Sequence, residues 1–230
     1  MDASFLIELV ISLLFTLGPM VLIGFLVFYS IKSSKKKAIE FDNAMLAKIR
    51  MNDPNFDLES FKRSANICVH EVFNCFYNTD IERLRLLEAN DLFEIHRMDI
   101  ETGILSGHLL ILDLPDNMNF RISNYYIDGD KEIICCSASI TSKDREIDPS
   151  TKEKLGDDVP SFVLHTMNLE FTRYLGTKTV PGREFAVHEC PNCGAGVSVN
   201  LYGKCTYCDS VIINGEHSWV LNKISDSFTN

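Results

Sequence analysis

Four cysteines form two Cys-x-x-Cys pairs, Cys190 with Cys193 and Cys205 with Cys208. That is the ligand pattern of a soft metal ion. Two thiolates so close in sequence can reach one ion from a tight turn, and two such turns facing each other complete a tetrahedron. Gly194 follows the first pair, where a backbone with positive φ is useful. The eleven residues between the pairs suit a short hairpin, VSVNLYGKC, with its tip near Asn200 to Gly203. Four protein ligands leave no open coordination position, so the ion expected is structural Zn2+ rather than a catalytic one. A redox dithiol or an iron–sulfur site fits less well. A thioredoxin-type motif occurs singly at the start of a helix, whereas this one is paired and flanked by a hairpin. His188 lies two residues before Cys190, and the complete four-cysteine set leaves it as a surface histidine.

The other cysteines, Cys68, Cys75, Cys135 and Cys136, fall on apolar faces of expected helix and strand and read as inert core thiols. Adjacent Cys135 and Cys136 point to opposite faces of a strand, so a bridge between them would be strained. Together these features indicate a reducing compartment.

Other catalytic candidates are scattered. His70 and Glu71 are helix neighbours and face different directions. His108 and His96 have no patterned partner. His165 alternates with Met167 and Leu169 and reads as a core histidine on the inner side of a strand. Pairing His165 with Glu170 fails, because odd spacing places them on opposite faces. No nucleophile elbow, phosphate loop or dinucleotide fingerprint occurs. Phe171-Thr172-Arg173 reads as sheet packing with Arg173 at the exterior or at a cavity mouth. The sequence is therefore read as non-enzymatic. Its 230 residues carry a formal net charge of -10. That balance disfavours nucleic acid as a partner, and Lys204 is the only basic residue in the knuckle.

The elements that must position these residues begin with an uncharged run from Leu9 to Ile31. As a helix it extends about 34 Å, against a hydrocarbon core of about 30 Å. Pro19 is expected to kink it. The start carries Asp2 and Glu8 and no basic residue, unlike a signal peptide or a transit peptide. Lys32, Lys35, Lys36 and Lys37 follow the run and place the bulk of the chain on the cytoplasmic side. The organisation expected is a short external N-terminus over 1–8, a single transmembrane helix over 9–31 in the plasma membrane, and a basic flank and stalk over 32–52. A domain over 53–185 plus 211–230 follows, with the zinc ribbon inserted at 186–210.

Within that domain, Phe61, Ala65, Cys68, Val72 and Phe76 recur at helical spacing, which predicts a helix from Leu58 to Tyr77 capped by Asp57. Thr79 to Glu82 resembles a capping box for a second helix with Leu84 and Leu87 inward. A third helix is expected from Asp91 to about Glu101, stopped by Gly103. Strands follow at Arg121–Ile127 and Lys131–Thr141, joined at Asp128-Gly129, a hairpin signal. The turn-rich stretch 142–160 reads as a long loop or frayed edge. Phe162–Leu175 and Trp219–Ile224 read as the last strands. Helices first and strands later describe an α+β layer of helices against an antiparallel sheet.

Asp53-Pro54-Asn55-Phe56-Asp57 with Phe61 and Ala65, then Phe171-Thr172-Arg173, then Trp219 to Ile224, occur in an order that resembles the Tim44-like domain family, named for a mitochondrial inner-membrane import subunit. With the zinc ribbon, the chain is most similar to its membrane-anchored bacterial members. One departure is Leu169, where the family often has Trp. The resemblance covers about Asp53 to Ile224. It implies a cone-like fold of the nuclear-transport-factor-two type, helices on a curved antiparallel sheet, with the zinc knuckle between the last two strands. It also implies binding of a protein or lipid partner at a membrane. The alternative it leaves open is a cone cavity that binds or transforms a small molecule.

Overall fold

The Asp57 side chain accepts a hydrogen bond from the Ser60 amide at 2.8 Å and so starts helix α1, Leu58–Asn78. In the computed structural model the described residues are 23, 25–30, 32, 33, 36, 40–156, 162–181, 185, 190, 192–196, 204–210, 212 and 218–228. The periodic face of α1 is buried as expected, through Phe61, Ala65, Cys68, Val69, Val72 and Cys75. Thr79 ends the helix in the left-handed conformation, φ 57°. The next helix, α2 (Ile81–Leu87), is capped by Asp80 rather than Thr79, with the Asp80 carboxylate accepting from the Arg83 amide. Thr79 is already committed to closing α1. Helix α3, Asn90–Ser106, runs one turn beyond the expected stop. Gly103 is an interior position pressed against Leu109, where a Cβ would meet Leu109 Cδ1 at 2.7 Å. Gly107, with φ 74°, is the cap.

The chain divides into two compact units, 1–44 and 45–230. In the first, Lys36 faces Glu40 one helical turn away at 3.8 Å. Residues 23 and 25–30 are helical and exposed, and Phe25, Leu26, Val27, Phe28 and Tyr29 are consecutive. The rest of the run 9–31 lies outside the described residues except for this part. Among the described residues no helix is long and apolar enough to cross a membrane. In the second unit the helical segment 45–52 supplies Met45 and Ile49 to the core. These two were expected to be stalk; their spacing of four puts both on one face.

Six strands form one antiparallel sheet: β1 Leu109–Asp113, β2 Arg121–Asp128, β3 Lys131–Ile147, β4 Lys154–Leu155, β5 Phe162–Tyr174 and β6 Val220–Phe228. Their order is β1-β3-β5-β6, with β2 and β4 also paired to β3. The Asp128-Gly129 signal is a two-residue hairpin: Asp128 pairs Lys131, and Gly129 takes φ 59°. Strand β3 extends six residues beyond its expected end, because Lys143 to Ile147 pair with β1. What reads as a loop over 142–147 is therefore strand. The inner face of the sheet carries Ile134, Cys136, Ala138 and Ile140 from β3 and Met167, Leu169 and Phe171 from β5. Helix α1 lays Phe61 against this face, at 5.6 Å from Phe171 and 5.8 Å from Trp219 between ring centres, both edge-on.

Candidate metal centre

The four knuckle cysteines lie in the connection between β5 and β6, which are paired neighbours in the sheet. Each Cys-x-x-Cys turn is built the same way. The Cys190 amide donates to the Ala195 carbonyl at 2.7 Å, and the Gly194 amide donates back to the Cys190 carbonyl at 2.8 Å. Fifteen residues later the Cys205 amide donates to Ser210 and the Asp209 amide to Cys205, both at 2.9 Å. The residue after each second cysteine is left-handed: Gly194 at φ 70° and Asp209 at φ 57°. This backbone ring points both sulfurs of a pair to one side.

All four sulfurs lie within 4.8 Å of one another. Cys190 Sγ is 3.7 Å from Cys208 Sγ, and Cys193 Sγ is 4.0 Å from Cys205 Sγ. Those separations are too long for disulfides, and the cysteines are free. A tetrahedral ion at about 2.3 Å from each sulfur gives an edge of about 3.8 Å, so the set fits such an ion. The Ser210 hydroxyl is 2.9 Å from Cys208 Sγ and 3.6 Å from Cys190 Sγ. With the Ser210 amide it brings the Cys208 thiol down to about 6. The Cys190 thiol is lowered too, again chiefly by Ser210. Cys193 goes the other way. The Ala195 amide favours its thiolate, but hydrogen bonds shared with Cys208, Cys190 and Cys205 push it up to about 12. Four clustered sulfurs do not ionise together without a cation among them. Cys190 and Cys205 are buried with Leu86 and Ile212, so the knuckle seats on the end of α2. The hairpin tip expected near Asn200 to Gly203, and His188, lie outside the described residues.

A second cluster gathers the residues on which the resemblance rests. Arg173 is 1 % exposed, at the centre of the fold. Its Nη1 donates to Asp53 Oδ2 at 2.9 Å, and its Nη2 and Nε donate to Glu132 Oε2 at 2.8 and 3.1 Å. The guanidinium lies 4.1 Å from the centre of the Trp219 ring. Thr179 holds Asp53 in place through both its amide and its hydroxyl. Residues 43–149 match the family model of the Tim44-like domain. The matched segment is just under half of the chain and contributes Asp53 and Glu132; Arg173 and Trp219 come from beyond it. No curated protein matches the chain.

Of the two places expected for Arg173, the exterior is ruled out by its burial, and the side chain instead borders a small cavity of about 40 Å³ with Lys178, Thr179 and Trp219. Positions 165, 167, 169, 171 and 173 share one face of β5, so the parity that turns Met167 inward also turns Arg173 inward. Two carboxylates engage it, so its charge is already paired within the core. The reading also missed Glu132, although it stands directly opposite Arg173 in the β3–β5 register.

Among the histidines, His165 is buried on the inner face as expected, with Nε2 3.5 Å from Asp144 Oδ1. His108 is exposed beside Glu146 at 3.7 Å. The structure pairs His96 with a residue that the sequence reading passed over. His96 Nδ1 lies 2.6 Å from Oε1 of Glu88, a fully buried carboxylate. Burial raises the Glu88 pKa against the opposing pull of His96. Eight residues separate the two, one ending α2 and one in the second turn of α3, and neither periodicity nor spacing announces the contact.

Proposed function

We propose that the protein is a non-enzymatic, membrane-anchored binding or scaffold protein. Its Tim44-like domain meets a protein or lipid partner at the cytoplasmic face of the plasma membrane, and a structural zinc knuckle braces that domain. The observation that carries this reading is the Tim44-like match at 43–149 directly after the uncharged run 9–31 and its lysines. Residues 25–29 support the anchor. They expose apolar side chains around the whole helix, which suits lipid rather than water. The lysines that follow set the N-terminus outside and the domain inside. Zinc is the metal favoured by four thiolates at tetrahedral separation with no position left open. A scaffold role agrees with a core in which the buried Arg173 is consumed by structural ion pairs.

The test is photo-crosslinking from Tyr126, an exposed residue of β2, in the full chain in its native membrane. A discrete protein or lipid adduct that disappears when Cys205 and Cys208 become Ser supports the proposal. Recovery of the chain in the soluble fraction, or no macromolecular adduct, overturns it.

A further inference from the structure

Between helices α1 and α3 and strands β1 and β6 lies an open groove of about 420 Å³. Small-molecule sites commonly occupy about 300–1,000 Å³. One side of the groove is apolar, formed by Val72, Phe73, Phe76, Leu109, Leu112 and Ile224. The close approach of Gly103 to Leu109 brings α3 down onto β1 and makes this floor continuous. The other side is polar and comes from α3 and the turn after it: His96, Asp99, Thr102, Ser106 and His108.

His96 is held from two directions. Its Nδ1 meets the buried Glu88 carboxylate, and its ring stands edge-on to Phe76 at 4.9 Å. Asp99 lies three residues on, adjacent to His96 on the helix surface. Among the described residues no Lys or Arg lines the groove. An anionic head group would therefore meet the Asp99 carboxylate with no lysine or arginine beside it, whereas a positively charged hydrogen-bond donor would meet an acceptor of opposite charge.

The geometry points to this groove as a binding site for a small amphipathic amine, its apolar ring against Phe73, Phe76 and Leu109 and its ammonium against the Asp99 carboxylate. The site stands apart from the membrane reading and from the metal centre, and neither is needed for it.

The experiment is equilibrium dialysis of 2-phenylethylamine against the full-length protein in lipid nanodiscs, with empty nanodiscs as the blank. The equally sized acid 3-phenylpropanoate is the control. Saturable uptake of the amine alone is expected, weakened on the order of tenfold by Asp99→Asn, which removes a charge-assisted contact. Ser106→Trp, which fills the groove from the exposed last residue of α3, abolishes it. Absence of saturable amine uptake overturns the proposal. So does equal uptake of the acid, or binding that neither variant changes. An unchanged melting temperature in Asp99→Asn ties its loss to the contact and not to folding.

Discussion

Asp53 and Arg173 are 120 residues apart in sequence and meet at 2.9 Å inside the core. The contact ties the turn before α1 to the far end of β5, and Glu132 completes it from the neighbouring strand. A buried ion pair is weak evidence of net stability, but removing one partner leaves charge stranded in the interior. Arg173→Met strands two carboxylates. We expect a loss of about 3–5 kcal/mol in urea denaturation. Adding Glu132→Gln and Asp53→Asn to Arg173→Met is expected to return part of that loss, because the stranded charges go with it. A triple variant no more stable than Arg173→Met would rule out charge stranding as the cause.

The same contact predicts an acid limb. Burial works to raise the Asp53 pKa, but the Thr179 and Arg173 hydrogen bonds outweigh it and hold the carboxyl below its ordinary value. A carboxylate with a depressed folded pKa contributes stability fully above its unfolded value, about 3.9, and loses it as pH falls through the folded one. Unfolding midpoints followed downward from about pH 6 are expected to drop more steeply in the parent than in Asp53→Asn. Parallel curves would place the acid sensitivity elsewhere.

Helix α1 was legible because its signal is local: Phe61, Ala65, Cys68 and Val72 recur at one period, and all four are buried. The gathering of the four cysteines was legible for a related reason, since two short turns carry all four sulfurs. Strand β1 was not legible. Leu109 to Asp113 is a short apolar run without alternation, and its partners Lys143 to Ile147 include Asp144, Arg145 and Glu146. Charges there suggest a loop until the pairing is known. The burial of Arg173 was legible in parity alone, but a strand arginine is ordinarily exposed. Only its partners, one of them 120 residues away, show why this one is not. The Glu88–His96 contact needed the angle between two helices, which no local pattern encodes.

The two knuckle turns differ at one backbone position. Gly194 and Asp209 share the left-handed conformation, but only Asp209 carries a Cβ. Left-handed geometry costs a residue with a Cβ about 1–2 kcal/mol, and least for Asp or Asn. Gly194→Ala is therefore expected to cost about 1 kcal/mol of stability, with weaker metal retention. Asp209→Gly is expected to change stability by only a few tenths of a kcal/mol, because relief of strain offsets the added freedom of the unfolded chain. Thermal melts of the metal-loaded proteins check both. Equal losses in the two variants would mean that the turns are not equivalent in the way their hydrogen bonds suggest.

Metal removal tests how the knuckle is joined to the rest of the domain. Cys190 and Cys205 pack with Leu86 at the end of α2, and the next residue, Leu87, belongs to the main core. Glu88 follows, bridged to Leu221 of β6. Removing an ion held by these cysteines would free four sulfurs to repel or oxidise and would loosen the turn that covers Leu86. Elemental analysis is expected to give one zinc per chain, and cobalt substitution a tetrahedral thiolate spectrum. Chelation is then expected to lower the melting temperature and to increase hydrogen exchange at Leu86–Ala89 and along β6 before the β3–β5 pairing responds. Cys205→Ser should reproduce that pattern without chelator. Leu86→Ala should remove the coupling while keeping the zinc, at a cost of about 2–5 kcal/mol for the lost packing. A chelated protein whose α2 and β6 exchange as slowly as before would show that the knuckle is an independent appendage.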